Sequence, residues 1–246
     1  MRTLFKLALV AAMALALADC NSLPGRPGPI SPFLETGRHT AFRTLYAQNC
    51  AACHGAEGEG GAAVALADPV YLAIAGNSVV RNVISNGVPG TPMPAFAESA
   101  GGTLNEQQIS TLVNGIRKWE RPDELAGVKI PPYAPDLKGT PQQGAQVYQT
   151  FCSSCHGPNG LGGRKAGSVA NPTFLSLVSN QDLRTLVIVG MPNLGAPDWR
   201  NDVPGKPMTD QEITNVVSWL ETHRVKYPGQ PYPEEGGSGA KEGNRE

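Results

Sequence analysis

The chain has 246 residues, with 20 Lys and Arg against 21 Asp and Glu and only 6% aromatic side chains. This balance gives no support for a nucleic-acid partner, which would need a clustered basic face, and the length suits two domains better than one. Because Gly (29) and Pro (22) are abundant, we expect a thin core that packs around an apolar group from outside the chain.

The N-terminus has the pattern of an export signal. Residues 1–19 combine a short basic start with an apolar run that is too short to span a bilayer. An A-x-A cleavage site ending at Ala18 would release a soluble periplasmic protein. The segment Leu17–Cys20 instead resembles a bacterial lipobox, in which Cys20 is acylated. We favour the lipobox, because residues 20–36 are rich in proline and would form an extended tether at the membrane surface.

Helical periodicity recurs along the rest of the chain, and no alternating strand pattern of any length appears, which predicts an all-α fold. In the first half, apolar stripes and caps predict helices over Arg38 to Asn49, over about Ser78 to Asn86, and from near Asn105 onward. In the second half they predict helices over Pro141 to Phe151, over Asp182 to Val189, and after a capping box at Thr209 to Glu212.

An internal repeat explains this recurrence. Cys50-Ala51-Ala52-Cys53-His54-Gly55 returns as Cys152-Ser153-Ser154-Cys155-His156-Gly157, shifted by 102 residues. Downstream, the segment that ends at Gly87 matches one that ends at Gly190. The chain therefore contains a duplicated unit of about 90 residues.

Cys-x-x-Cys-His is the attachment motif of haem c. The two thiols add across the porphyrin vinyl groups, and the adjacent His ligates iron from the proximal side. A thioredoxin-like redox pair would not need His at the next position twice, and a zinc ribbon would use both cysteine pairs on one metal. We therefore predict two haem c groups, attached through Cys50, Cys53, Cys152 and Cys155, with His54 and His156 as iron ligands.

Each repeat resembles a small class I cytochrome c domain, in its Cys-x-x-Cys-His-Gly site and, in the first repeat, in Val88-Pro89-Gly90-Thr91-Pro92-Met93-Pro94-Ala95-Phe96. The resemblance implies a helical bundle around each haem, with Met93 as the distal ligand of the first iron. The expected organisation is a signal peptide (1–19), a tether (20–36), domain 1 (37–120), a semi-rigid linker (121–138), domain 2 (139–228) and a disordered tail (229–246).

The second repeat departs from this pattern, because aligning the two glycines puts Ala196 where Met93 stands. Two methionines are near. Met208 lies in a Pro-Gly-x-Pro-Met echo of the Met93 segment, and it is the first candidate for the second iron. Met191 directly follows the middle helix and is the alternative. An open or water-ligated iron is the third possibility. His39 and His223 are expected to be surface residues.

The predicted function is electron transfer rather than catalysis, by a carrier or a subunit in a periplasmic or membrane-surface electron-transport chain. Tandem dihaem cytochromes feed or drain respiratory and photosynthetic complexes, so the resemblance implies redox-protein partners: a cytochrome oxidase, a quinol-oxidising complex or a photosynthetic reaction centre. The competing hypothesis is a dihaem enzyme, a peroxidase or sulfur-compound dehydrogenase, with the second haem as catalytic iron. Ala196 favours it, because a vacant site could bind substrate.

Overall fold

The computed structural model describes residues 41–225, and the lipobox, tether and tail predictions lie outside them. Within this range the chain is helical and contains no β-strand, only two isolated bridges, as the sequence predicted. The helices are α1 (Phe42–Asn49), α2 (Ala51–His54), α3 (Pro69–Ile74), α4 (Asn77–Asn86), α5 (Glu106–Arg117), α6 (Pro141–Phe151), α7 (Ser153–His156), α8 (Pro172–Ser176), α9 (Asn180–Val189) and α10 (Asp210–Glu221). Short 3-10 turns span Glu98–Ala100, Pro122–Leu125 and Pro192–Leu194.

Local capping explains where the longer helices begin. Asn105 caps α5 and Thr209 caps α10, each in a capping box whose third helical residue bonds back to the cap. A third capping box, at Ser179, starts α9 two residues before the predicted start at Asp182. The six predicted helices are therefore present in the described residues, with shifts at their ends. The first begins at Phe42, and its predicted start at Arg38 lies outside the described residues.

In each repeat the first long helix crosses the last one, and a glycine lets them approach closely. In the first repeat Gly115 on α5 faces the ring of Phe42 on α1, and an added Cβ would lie 2.0 Å from that ring. In the second repeat the glycine is on the other helix: Gly144 on α6 faces Trp219 on α10, 2.6 Å from its Cβ. In both repeats one glycine therefore packs against one aromatic residue. The glycine lies on the last helix of the first repeat but on the first long helix of the second repeat.

The two repeats pack against each other within one compact unit. Helix α9 of the second repeat contacts α3 of the first, and buried residues of both repeats join one hydrophobic core. The middle of the linker is held on the second repeat, because Arg184 donates to the carbonyl oxygens of Pro132 (2.8 Å) and Tyr133 (3.1 Å). The two repeats are thus connected by side-chain packing as well as by the linker.

Candidate functional site

The two Cys-x-x-Cys-His motifs adopt the same backbone conformation. In the first repeat α1 ends at Asn49, and the N–H of its C-cap residue Cys50 donates to Tyr46 O (2.8 Å). A turn of helix then brings the His54 N–H to Cys50 O (3.0 Å). The second repeat forms both bonds at 2.9 and 3.0 Å. The first cysteine and the histidine of each motif are therefore positioned by local helical hydrogen bonds.

Each motif histidine is held by its Nδ1 atom. His54 Nδ1 lies 2.8 Å from Val64 O, and His156 Nδ1 lies 2.7 Å from Gly167 O. A carbonyl oxygen can only accept, so Nδ1 carries the proton and Nε2 is left as a lone-pair donor for a metal. Burial also lowers the pKa of His54, which favours the neutral imidazole that iron requires.

The first cysteine of each motif is unsuited to thiolate chemistry. Burial raises the pKa of Cys50 to about 12, with a smaller contribution from Cys53. Burial likewise raises the pKa of Cys152 to about 12, aided by the nearby Asp202 and Cys155. A thioredoxin-like pair needs a lowered pKa at its reactive cysteine, so these thiols do not fit that alternative.

The residues around the motifs fit a haem c group. Tyr46 is buried beside the first motif, and its hydroxyl has no hydrogen-bond partner among residues 41–225. A buried hydroxyl without a partner costs about 1–3 kcal/mol, so a polar group from outside these residues is expected beside it. With two thiols and an imidazole free at Nε2, the donor set matches covalent attachment and proximal iron ligation.

The loop that follows the middle helix is anchored at a glycine in both repeats. Gly87 (φ +66°) ends α4, and a Cβ there would lie 2.6 Å from Met93 O. Gly190 (φ +72°) ends α9, and a Cβ there would lie 2.3 Å from Pro197 O. Only glycine combines this left-handed conformation with such close approach. The two distal loops therefore fold back onto their helices in the same way.

Comparison with known families follows the same division into repeats. Residues 37–114 match the family model described as cytochrome c oxidase, cbb3-type, subunit III, and residues 141–224 match the model described as cytochrome c. The chain belongs to the c-type cytochromes. It carries two class I domains in tandem, and covalently bound haem c is the cofactor that such domains carry.

The curated relatives are longer proteins. The cbb3-type cytochrome c oxidase subunit CcoP of Azospirillum sp. (strain B510) is 30% identical over 136 residues, which cover 51% of this chain and 41% of the relative. The cbb3-type cytochrome c oxidase subunit FixP of Azorhizobium caulinodans is 28% identical over 134 residues, again 51% and 41%. This cytochrome therefore matches less than half the length of these relatives.

Among solved structures, a chain of the reducing HAO-like protein complex of Kuenenia stuttgartiensis covers 75% of this chain and 96% of its own length. It is 18% identical, with a TM-score of 0.41. In the described part of this cytochrome no helix is long and apolar enough to cross a membrane.

The predicted distal ligands lie in two kinds of environment. Met93 and Met191 are half-buried on the two distal loops, whereas Met208 is 3% exposed within the hydrophobic core. His223 is half-buried rather than fully exposed, with its ring on Trp219 at a centroid distance of 4.4 Å. Cys20 and His39 lie outside the described residues.

Proposed function

We propose that this cytochrome binds two haem c groups and passes single electrons between them and redox-protein partners. Cys50, Cys53 and His54 would hold the first haem, and Cys152, Cys155 and His156 the second. When bound, each haem supplies an iron that changes oxidation state by one electron. The observation that carries the proposal is the matched pair of motifs, each with its histidine oriented through Nδ1.

Met93 is proposed as the distal ligand of the first iron. A turn shapes its loop: Thr91 Oγ1 donates to Val88 O (2.9 Å) and accepts from the Met93 N–H (3.2 Å). These bonds, with the anchor at Gly87, fix the backbone that presents the thioether. A thioether opposite imidazole raises the reduction potential and closes the iron to other ligands, which suits electron transfer.

Transfer between the two sites is supported by the packing of the repeats. Helix α9 lies against α3, and the loop after the first motif approaches the second distal loop, since a Cβ added at Gly60 would lie 3.1 Å from Asn193 Oδ1. Because the repeats share one core, their separation does not depend on the linker alone. We therefore propose that electrons move through the chain from one haem to the other.

A cytochrome oxidase is the partner that the relatives favour, since those named above are subunits of cbb3-type oxidases. We propose that this cytochrome works on the periplasmic side of the cytoplasmic membrane, held there by acylated Cys20. Replacing Cys20 with Ser should move the protein from the membrane fraction to the soluble fraction. A wild-type protein that is already soluble and begins at Asp19 would contradict the anchor.

The attachment of two haems is tested by removing one motif at a time. Denatured wild-type protein should retain two haems per chain, measured by haem absorbance against protein mass. Replacing Cys50 and Cys53 together with Ser should leave one, and the matched change at Cys152 and Cys155 should leave the other. Two haems on either variant, or fewer than two on the wild type, would contradict the proposal.

Transfer itself is tested on the intact two-haem protein. We expect rapid mixing with a substoichiometric one-electron reductant to produce an initial distribution of electrons that then relaxes between the two haems. The relaxation rate should not depend on protein concentration, because it occurs within one chain. A rate that rises in proportion to concentration would show transfer only between molecules and would refute the internal path.

A further inference from the structure

The distal loop of the second repeat contains a backbone pairing that joins Met191 to Ala196. The Met191 N–H donates to Ala196 O (3.0 Å), and the Ala196 N–H donates to Met191 O (3.1 Å), which makes an antiparallel bridge. Residues that exchange both hydrogen bonds lie directly opposite each other, and their side chains project from the same face. Met191 therefore shares a face with the residue that aligns with Met93.

The first repeat keeps the spacing and one of these two hydrogen bonds, with the side chains exchanged. Its Met93 N–H donates to Thr91 Oγ1 (3.2 Å) instead of to Val88 O. There the Val88 N–H donates to Met93 O at 3.0 Å, as the Met191 N–H does to Ala196 O. Val88 thus corresponds to Met191, and Met93 to Ala196. Each loop has one thioether and one smaller aliphatic side chain across the pairing. The first repeat has its thioether on Met93, the second residue of the pair, whereas the second repeat has it on Met191, the first residue of the pair.

Met208 occupies a different position. Its N–H donates to Trp199 O (2.9 Å), just as the Leu104 N–H donates to Phe96 O (2.7 Å), so Met208 corresponds to Leu104. Both residues immediately precede the capping box of a last helix and are buried, at 3% and 0% exposure. Protein atoms already surround the Met208 side chain, which packs the helix start as a hydrophobic staple.

We propose that Met191, and not Met208, is the distal ligand of the second haem iron. This inference rests on the proposed function, because it requires haem on Cys152 and Cys155. The Met191 sulfur would donate a lone pair to the iron, with His156 as the other protein ligand, and no proton or electron would be transferred. The second iron is then closed by a thioether like the first, which removes the vacant site on which the enzyme hypothesis depended.

The test uses the ferrous two-haem protein, in which the methyl protons of an iron-bound methionine give proton NMR signals shifted far upfield by the haem ring current. Wild type should show two such methyl signals. Met191→Val, which installs the Val88 counterpart, should lose one signal and bind one carbon monoxide per chain. Met208→Leu, which installs the Leu104 counterpart, should keep both methyl signals and bind no carbon monoxide.

A rescue variant separates loss of ligand from loss of folding. Met191→Val combined with Ala196→Met rebuilds the Val88–Met93 pair and should restore the second signal and block carbon monoxide. The proposal is overturned if wild type shows one signal, if Met191→Val keeps two, or if Met208→Leu loses one. Covalent haem counted on each sample distinguishes this failure from failure of the proposed function, which would appear as fewer than two haems.

Discussion

Arg184 offers the sharpest test of how the linker is held. Its side chain is 2% exposed, forms an ion pair with Asp210, and donates to Pro132 O (2.8 Å) and Thr214 Oγ1 (3.1 Å). Arg81 is its counterpart in the first repeat, where it pairs with Glu106 and a serine hydroxyl but is 41% exposed. The two arginines thus make similar side-chain contacts, and of the two only Arg184 bonds linker carbonyl oxygens.

Replacing Arg184 with Ala removes this partner from the Pro132 carbonyl and the Asp210 carboxylate, while Tyr133 O keeps the hydrogen bond from Gln181 Nε2 (2.8 Å). Breaking a buried ion pair costs about 3–5 kcal/mol. Asp210 is 27% exposed and can regain some water, so we expect about 3 kcal/mol. Arg81→Ala removes a surface pair and should cost about 0.5 kcal/mol. The difference between the two variants, about 2.5 kcal/mol, isolates what burial under the linker contributes.

Urea unfolding of the two-haem protein, followed by circular dichroism, measures both costs as shifts of the transition midpoint. Arg184→Lys keeps the charge but not the planar guanidinium group, so its urea midpoint should fall between those of Arg184→Ala and wild type. Equal midpoints for Arg184→Ala and Arg81→Ala would refute the reasoning, because the linker contacts would then contribute nothing to stability.

Two further predictions concern packing and pH. Gly144→Val places a Cβ 2.1 Å from Asn215 O and should lower the free energy of unfolding by about 3 kcal/mol. Gly167→Ala adds a Cβ that meets nothing within 4 Å and should change the free energy of unfolding little. Equal thermal midpoints for the two variants would contradict this prediction. Burial, aided by the Asp198 charge, raises the pKa of Asp202 to about 7. The folded state then binds the extra proton, so stability falls as pH rises from about 4 to 7. Asp202→Asn should unfold at higher urea than wild type at pH 8 but not at pH 4, and a difference independent of pH would contradict it.

Much of the site could be predicted from the sequence because its determinants are local. The attachment motif is complete within five residues, and the capping boxes that start α5 and α10 span four. Helices α3 and α8 were missed, because runs of six and five residues show no periodicity. Their signal was a capping Asp68 or Asn171 followed by proline, a start pattern that does not need a long stripe.

By itself, then, the sequence determined the repeat, the all-α class and the positions of the two Cys-x-x-Cys-His motifs. The alignment also placed Ala196 opposite Met93, but it could not rank Met191 against Met208. That ranking depends on which backbone groups pair across the folded loop, and therefore on which side chains share a face. The burial of Arg184 under the linker likewise joins residues about 50 positions apart. Local patterns do not encode such contacts, because they arise only when separate segments pack together.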